Sequence, residues 1–242
     1  MKRKPIPPEL AVAATLVCLV SCGLLFRRIQ LRWGATTAEC DVDLPGDGFI
    51  RSPALEATRA VSIKAPATQV WPWLAQLGQG RGGFYSYDVL ENLIGLDVRS
   101  ADRVHPEWQG TDIGDRIHLA PAPTAYLEVA DIAPDELLVL RSPREVPAPF
   151  DFTWAFVLQQ RPDGTTRLLV RERYACRRWW ARLLVETVEV ASFVMSTRML
   201  HGIRSRAENT RRRVRRGEIA GPEATGPVEG RPFEERPMAL PM

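Results

Sequence analysis

The pattern that most constrains the fold is an alternation of apolar and polar residues that begins near residue 114. It recurs in five segments, at 115–120, 125–132, 136–142, 150–160 and 166–175, and the connections between them are short. A period of two is typical of β-strands. Because parallel strands need crossovers of a dozen or more residues, short connections predict antiparallel pairing. Asp163 and Gly164, between the last two segments, are a hairpin signal.

Helical segments precede and follow this run of strands. A strand at 58–65 is followed by short helices at 66–78 and 86–95, and a long helix is expected within 179–216. Strands grouped apart from helices indicate an α+β fold, with the last helix covering one face of the sheet. We expect a ligand pocket between that helix and the sheet. The apolar stripe of the long helix, with members three or four residues apart, is Leu184, Val188, Ala191, Met195, Met199 and Ile203.

Near the N-terminus, residues 10–26 form the uncharged apolar run LAVAATLVCLVSCGLLF. This is at the short end of the length of a membrane span, and we predict an uncleaved single-pass anchor in the cell membrane. Two alternatives stay open, a lipoprotein modified at Cys22 in LVSC and a cleaved signal peptide. The flanking charges are Lys2, Arg3 and Lys4 before the run and Arg27, Arg28 and Arg32 after it.

Those flanking charges are nearly balanced, so they do not decide the orientation of the anchor. Cys40 and Cys176 are single and far apart, which fits a reducing compartment. An arginine-rich helix end would find anionic lipid on the cytoplasmic face. On these grounds we predict a cytoplasmic domain, although a short basic N-terminus commonly stays inside and sends the following chain across.

The chain divides into five predicted parts. A basic N-terminus (1–9) and the anchor (10–26) are followed by an ordered linker (27–56) and a ligand-binding domain (57–216). The remaining residues, 217–242, are rich in proline and glycine and lack an apolar pattern. They are predicted to be a disordered tail.

The stretch GQGRGGFYSY, residues 78–87, has the spacing G-x-G-x-x-G at Gly78, Gly80 and Gly83. A dinucleotide-binding turn needs a strand before the first glycine and a helix after the last, within a βαβ unit. The preceding VWPWLAQL favours a helix, and the later connections are too short for a βαβ unit. We interpret the glycines as a sharp reversal between two helices that turns the following aromatic residues toward the pocket.

Four segments occur in a characteristic order: ATRAVSIKAPATQVW, VWPWLAQLGQGRGGFYSYDVLENLIGLD, TWAFVLQQRPDGTTRLLVRERY and FVMSTRMLHGIRSRAE. Together they resemble bacterial proteins of the START-like, or SRPBCC (polyketide cyclase/dehydrase), superfamily, over about residues 32–210. The resemblance implies the helix-grip fold, in which a curved antiparallel sheet wraps a long C-terminal helix around an apolar cavity for lipids, polyketides or related molecules. The superfamily also contains cyclases and hydrolase activators, and no catalytic motif of a characterised branch can be carried over, so the fold does not settle the chemistry.

The ligand is expected to contact the aromatic loop, defined as residues 78–87, the inner face of the last two strands and the long helix. Glu172 shares a strand face with apolar residues and is predicted to point inward. There it would orient a ligand hydroxyl or act as a base, or else it is solvated or ion-paired. The predicted ligand-binding residues are Phe84, Tyr85, Tyr87, Leu90, Phe152, Trp154, Phe156, Glu172, Tyr174, Met195 and Met199.

These features predict a membrane-anchored domain that binds or transfers a hydrophobic small molecule or lipid. One alternative is a cyclase- or hydrolase-type enzyme that uses an acid in the same cavity. A second alternative is nucleic-acid binding through the basic cluster Arg204–Arg216, although no interleaved aromatic residues accompany it and the net charge of the chain is only +3. The histidines His105, His118 and His201 lack metal-ligand spacing and no C-x-x-C is present, so no metal, cofactor or catalytic residue is predicted.

Overall fold

The computed structural model describes residues 8–93 and 95–218. Most of the predicted disordered tail therefore lies outside the described residues. Single turns of 3-10 helix lie at Asp47–Phe49 and Pro106–Trp108. The α-helices and strands, in chain order, are α1 (Pro8–Leu31), α2 (Thr37–Asp41), β1 (Leu55–Ile63), α3 (Ala67–Ala75), α4 (Asp88–Leu93), β2 (Arg116–His118), β3 (Tyr126–Ala133), β4 (Leu137–Arg141), β5 (Phe150–Gln160), β6 (Thr166–Cys176) and α5 (Ala181–Arg215).

The strands form one six-stranded antiparallel sheet in the order β1-β6-β5-β4-β3-β2. The β5–β6 hairpin pairs Gln160 with Thr166 across the Asp163-Gly164 turn, where Gly164 has a φ of 74°. This left-handed conformation is easily adopted by glycine because it has no Cβ. The predicted α+β fold, a helix-grip arrangement of antiparallel strands and a long C-terminal helix, is confirmed.

The core lies between the inner face of the sheet and helices α3 and α5. Alternate residues of the strands point to this face, as a period of two requires. They pack against the C-terminal half of α5, where the helix turns apolar side chains toward the strands. The principal contacts involve Val61, Ile63, Phe156, Leu168 and Val170 on the strands and Met199, Leu200, Ile203 and Ala207 on the helix.

The apolar stripe predicted for the long helix is correct only in its C-terminal half. Met199 and Ile203 are buried as predicted, but Leu184 is exposed. In this N-terminal half, α5 instead buries Val185 and Glu189. The helix is rotated in this way because the Glu189 carboxylate pairs with a buried arginine of β1, and that pair is specified by the tertiary structure rather than by helical spacing.

The outer face of the sheet is covered by residues 34–50, within the predicted linker. Arg171 of β6 is buried there and donates to the carbonyl oxygens of Glu39, Cys40 and Val42 at 2.8–2.9 Å. Its guanidinium also donates to Asp47 at 2.6 Å. The arginines on this face therefore tie the linker to the sheet.

Helix α1 extends beyond the predicted anchor, because it runs from Pro8 to Leu31 rather than over 10–26. Its residues 14–26 are all exposed. The stretch Ala14–Leu31 has a mean hydropathy of 1.5 and is long and apolar enough to cross a membrane. The C-terminal part of α1 meets α5, where Arg27 Nη2 donates to Glu186 at 2.9 Å and the rings of Phe26 and Phe193 lie edge to face at 6.3 Å.

Candidate ligand-binding site

The glycine-rich stretch forms a closed loop after α3. Gly78 and Gly83 exchange two backbone hydrogen bonds of 3.0–3.1 Å, and both have a positive φ. A helix precedes Gly78 and no helix begins until Asp88, so the structure lacks the strand–turn–helix of a dinucleotide site in this segment. The loop reverses the chain, as predicted. Of the aromatic residues that follow, Tyr85 and Tyr87 line the pocket described next, whereas Phe84 packs in the core.

An open pocket of about 620 Å³ lies where this loop, α4 and α5 meet. This volume is within the range of small-molecule sites. The lining is mostly apolar, and the residues that form it are Tyr85, Ser86, Tyr87, Asp88, Val89, Leu90, Leu93, Ser100, Val194, Arg198 and Arg206.

Helix α4 turns its apolar side chains outward, toward this pocket and the solvent. Val89 is 86% exposed and Leu93 81% exposed, whereas Glu91 is buried at 1%. Burial and the nearby Asp88 carboxylate raise the pKa of Glu91 to about 7. A helix that buries an acid and exposes its apolar residues reverses the usual arrangement of a globular domain, so this apolar face is available to a ligand.

The polar part of the lining comes from α5 and from the start of α4. Arg206 lies with its guanidinium carbon 4.6 Å from the centre of the Tyr85 ring, and Arg198 lies 5.7 Å from that of Tyr87. Asp88 accepts hydrogen bonds from the backbone and hydroxyl of Ser100 at 2.8 and 2.6 Å. The two arginines and one aspartate give the pocket lining a net positive charge.

Glu172 points inward as predicted, but it belongs to a buried ion cluster. Arg59 Nη1 donates to it at 2.9 Å, and the hydroxyls of Ser192, Ser196 and Tyr174 donate at 2.7, 2.8 and 3.1 Å. Its side chain is 1% exposed and is not part of the pocket lining. The carboxylate is therefore ion-paired and hydrogen-bonded rather than open to a ligand, which is one of the two states that the sequence left open.

Arg59 also pairs with a second buried acid, Glu189 of α5. Burial, aided by the nearby Glu172 carboxylate, raises the pKa of Glu189 to about 7 despite the attraction of Arg59. Burial and Glu172 also raise the pKa of Tyr174 well above its usual value. Two carboxylates around one guanidinium form a structural link between β1, β6 and the N-terminal half of α5.

The eleven residues predicted to bind the ligand are divided among the pocket lining, the buried ion cluster and the core, except for Met195. Tyr85, Tyr87 and Leu90 line the pocket. Glu172 and Tyr174 belong to the ion cluster, and Met195 is half-buried with its carbonyl accepting from Ser86 at 3.1 Å. The other five are part of the main core or pack against it: Phe84, Phe152, Trp154, Phe156 and Met199.

Sequence reasoning missed the polar half of the pocket and the partner of Glu172. Arg198 and Arg206 lie on the long helix, but its apolar stripe gives no indication of which arginines face a pocket. Arg59 could have been found, because it shares a strand face with Val61 and Ile63, which are both buried. A charged residue in that position requires a buried partner.

No protein-family model matches the chain, and no curated protein matches it significantly. Comparison with solved structures gives distant similarities. The ZhuI aromatase/cyclase from a Streptomyces species is 19% identical, with 67% of this chain and 97% of that chain covered and a TM-score of 0.39. A hypothetical protein from Helicobacter pylori is 13% identical over 72% of this chain and 99% of that chain, with a TM-score of 0.43.

The di-domain aromatase/cyclase BexL, of the BE-7585A biosynthetic pathway, is 12% identical, with 64% of this chain and 46% of that chain covered and a TM-score of 0.36. Identities below 20% and TM-scores below 0.5 assign no activity to this chain. Its architecture and pocket therefore carry the functional interpretation.

Proposed function

We propose that the chain is a membrane-anchored START-like domain that binds or transfers a hydrophobic or amphipathic small molecule in the pocket between α4 and α5. The observation that carries this proposal is the exposed apolar face of α4, which forms one wall of a pocket of about 620 Å³. Burying apolar surface yields roughly 25 cal/mol per Å², so a ligand seated on Val89, Leu90 and Leu93 would be held by the hydrophobic effect.

The test is to bind a neutral apolar fluorophore, N-phenyl-naphthylamine, to the full-length protein in phosphatidylcholine nanodiscs. The variant Leu90→Asp places a charge in the pocket wall and is expected to weaken binding about tenfold, which corresponds to about 1.4 kcal/mol. Ile113→Asp is the matched control, because Ile113 is an exposed apolar residue outside the pocket. Equal binding by both variants and the unmodified protein would contradict the assignment of this pocket.

Membrane anchoring is supported by the way α1 meets the domain. Phe26, at the end of the apolar run, contacts α5. The residues just before α5 and in its first turn include exposed Trp179 and Leu183 beside Arg178 and Arg182. Tryptophan and arginine are favoured at the membrane–water interface.

The intact mass of the mature protein distinguishes the three predicted fates of the apolar run 10–26. An uncleaved anchor keeps the run, a lipoprotein begins at a lipidated Cys22, and a cleaved signal peptide removes the run.

The alternative of a cyclase- or hydrolase-type enzyme needs an ionisable group that reaches a ligand. Glu172 is already hydrogen-bonded by four side chains, and Asp88, which does line the pocket, is held by Ser100.

The second alternative, nucleic-acid binding through Arg204–Arg216, predicts an affinity that falls steeply with salt. Within that cluster Arg206 and Arg211 donate to the carbonyl oxygens of Ala101 and Lys64, so part of its hydrogen-bonding capacity is used inside the domain.

A further inference from the structure

Two arginines of α5, Arg198 and Arg206, line the same pocket as the exposed apolar residues of α4. Neither takes part in a salt bridge among the described residues. The Arg206 side chain donates to the carbonyl of Ala101 at 2.7 Å and, at 3.4 Å, to that of Gly202, whereas the Arg198 guanidinium has no hydrogen-bond partner within the described part of the chain. Since a guanidinium offers five N–H donors, both side chains keep donors available for a ligand.

The arginines of strands β1 and β6, unlike Arg198 and Arg206, are paired with carboxylates. Arg59, Arg167, Arg171 and Arg173 each contact at least one carboxylate at 2.6–2.9 Å. The pocket contains a single carboxylate, that of Asp88, and Ser100 already donates two hydrogen bonds to it. With two arginines and one aspartate, the pocket lining therefore carries a net charge of +1.

The two guanidinium groups also repel each other. Burial lowers the pKa of Arg206, and the positive charge of Arg198 lowers it further, while Tyr85, Asp88 and Asp102 act in the opposite direction. An anion placed between the arginines would offset both effects, and a charge-assisted hydrogen bond is about twice as strong as a neutral one. Arginine suits this role because its planar donors match a carboxylate or a phosphate.

We propose that the pocket binds an amphiphile with one anionic group, a carboxylate or a phosphate monoester. The anion lies between Arg198 and Arg206, and the hydrocarbon chain lies on Val89, Leu90 and Leu93. This proposal rests on the proposed function, since it assumes that the pocket between α4 and α5 is the ligand site. It adds the chemical class of the ligand and the two residues that select it.

The experiment compares three probes of the same chain length, dodecanoate, dodecyl phosphate and dodecanol. Each displaces N-phenyl-naphthylamine from the full-length protein in phosphatidylcholine nanodiscs, at a pH where the carboxylic acid is ionised. At least one of the two anions is expected to bind about tenfold more tightly than the alcohol, which corresponds to about 1.4 kcal/mol. The comparison of dodecanoate with dodecyl phosphate identifies which anion the site prefers.

Arg198→Gln removes one of the two charges from an exposed side chain and is expected to abolish most of the preference for the anion, measured within the variant as the ratio of the affinity for each anion to the affinity for dodecanol. Arg206→Lys, which keeps the charge but loses the planar donors, should reduce the preference several-fold. Arg204→Gln is the matched control, because Arg204 lies on the same helix, pairs with Glu208 and does not line the pocket. It should leave all three affinities unchanged.

The possible failures are distinguishable. If all three probes bind equally, the anion site is excluded and the proposed apolar pocket remains. If the preference for an anion survives in Arg198→Gln, the charge of the ligand lies elsewhere and the inference is overturned. If neither the fluorophore nor any probe binds, the proposed function fails, and the inference fails with it.

Discussion

At the residue scale, buried arginines of β6 hold residues 34–50 on the outer face of the sheet. Arg171 uses all three guanidinium nitrogens, in five hydrogen bonds, because Nε also donates to Thr58 at 3.0 Å. Lysine offers three donors on one atom and cannot reproduce this geometry. Arg171→Lys is therefore expected to lower the free energy of unfolding by about 2 kcal/mol or more, since it leaves buried acceptors unpaired.

Thermal unfolding of the full-length protein in a mild detergent, followed by circular dichroism, measures this loss. The control is Arg177→Lys, because Arg177 forms an exposed pair with Asp151. Exposed ion pairs contribute at most about 1 kcal/mol. If the two variants unfold at the same temperature, the arginine network does not hold the segment in place.

Glu91, buried beneath the apolar face of α4, gives a second prediction at this scale. Its pKa is raised from 4.5 to about 7 by burial and by Asp88, so the folded state binds the proton more tightly than the unfolded state. The stabilisation is fully present below about pH 4.5 and is lost as the pH rises to about 7, a total of roughly 3 kcal/mol. Glu189 contributes in the same direction, since its pKa is also raised to about 7.

The melting temperature of the unmodified protein is expected to fall as the pH rises from about 4.5 to about 7. In Glu91→Gln this fall should be smaller, and the variant should be more stable than the unmodified protein at neutral pH. The remaining slope would come from Glu189. Glu145→Gln, at an exposed acid, is the control and should follow the unmodified protein. A pH profile of Glu91→Gln identical to that of the unmodified protein would show that Glu91 does not couple to folding in this range.

At the element scale, α5 and the aromatic loop approach each other closely at Gly202. A Cβ at this position would lie 2.3 Å from the Tyr85 carbonyl oxygen and 2.7 Å from the Tyr85 Cβ. Alanine is the better helix former by about 1 kcal/mol, but such a clash forces backbone shifts that cost about 1–3 kcal/mol or more. Gly202→Ala is thus expected to lower the melting temperature and to weaken fluorophore binding, because Tyr85 lines the pocket.

Gly110→Ala is the control for this prediction, because a Cβ at Gly110 would have no atom within 4 Å. Its melting temperature and fluorophore affinity should remain close to those of the unmodified protein. A stabilised Gly202→Ala variant would mean that helix propensity outweighs the contact and that the loop moves freely away from α5.

The elements also differ in how far the sequence predicts them. Most of the strands follow from alternation, because each packs one face on the main core. Strand β4 is instead a short, nearly continuous apolar run that is buried on both faces. The rotation of α5 does not follow, since Glu189 is drawn inward by Arg59, a partner 130 residues away in the chain. Residues 34–50 lack a period because they are held on the sheet by arginine hydrogen bonds to their carbonyl groups and by single apolar contacts such as that of Leu44, not by one regular apolar face.

At the scale of the whole molecule, the candidate site could be predicted only in part. The aromatic loop was located because its glycines and aromatic residues are adjacent in sequence. The pocket, however, joins α4 to residues of α5 about 100 positions later, such as Val194 and Arg198. Which side chains meet there depends on the rotation of both helices about their axes. The aromatic residues of β5, which were predicted to bind the ligand, pack in or against the core instead, and Arg198 and Arg206 were not predicted to line the pocket.

The orientation of the chain in the membrane is the last prediction, and we expect the domain on the cytoplasmic side. The ground for this expectation is the arginine-rich end of α5, which suits an anionic leaflet. Cys40 is buried, so an introduced cysteine is a better reporter than the natural thiols. In a background without the natural cysteines, Ser205→Cys, at an exposed position of α5, should react with a membrane-impermeant thiol reagent only after cell lysis. Lys4→Cys, before the span, is the paired control and should react in intact cells. The opposite pattern would place the domain outside, as the positive charge of the N-terminus alone favours.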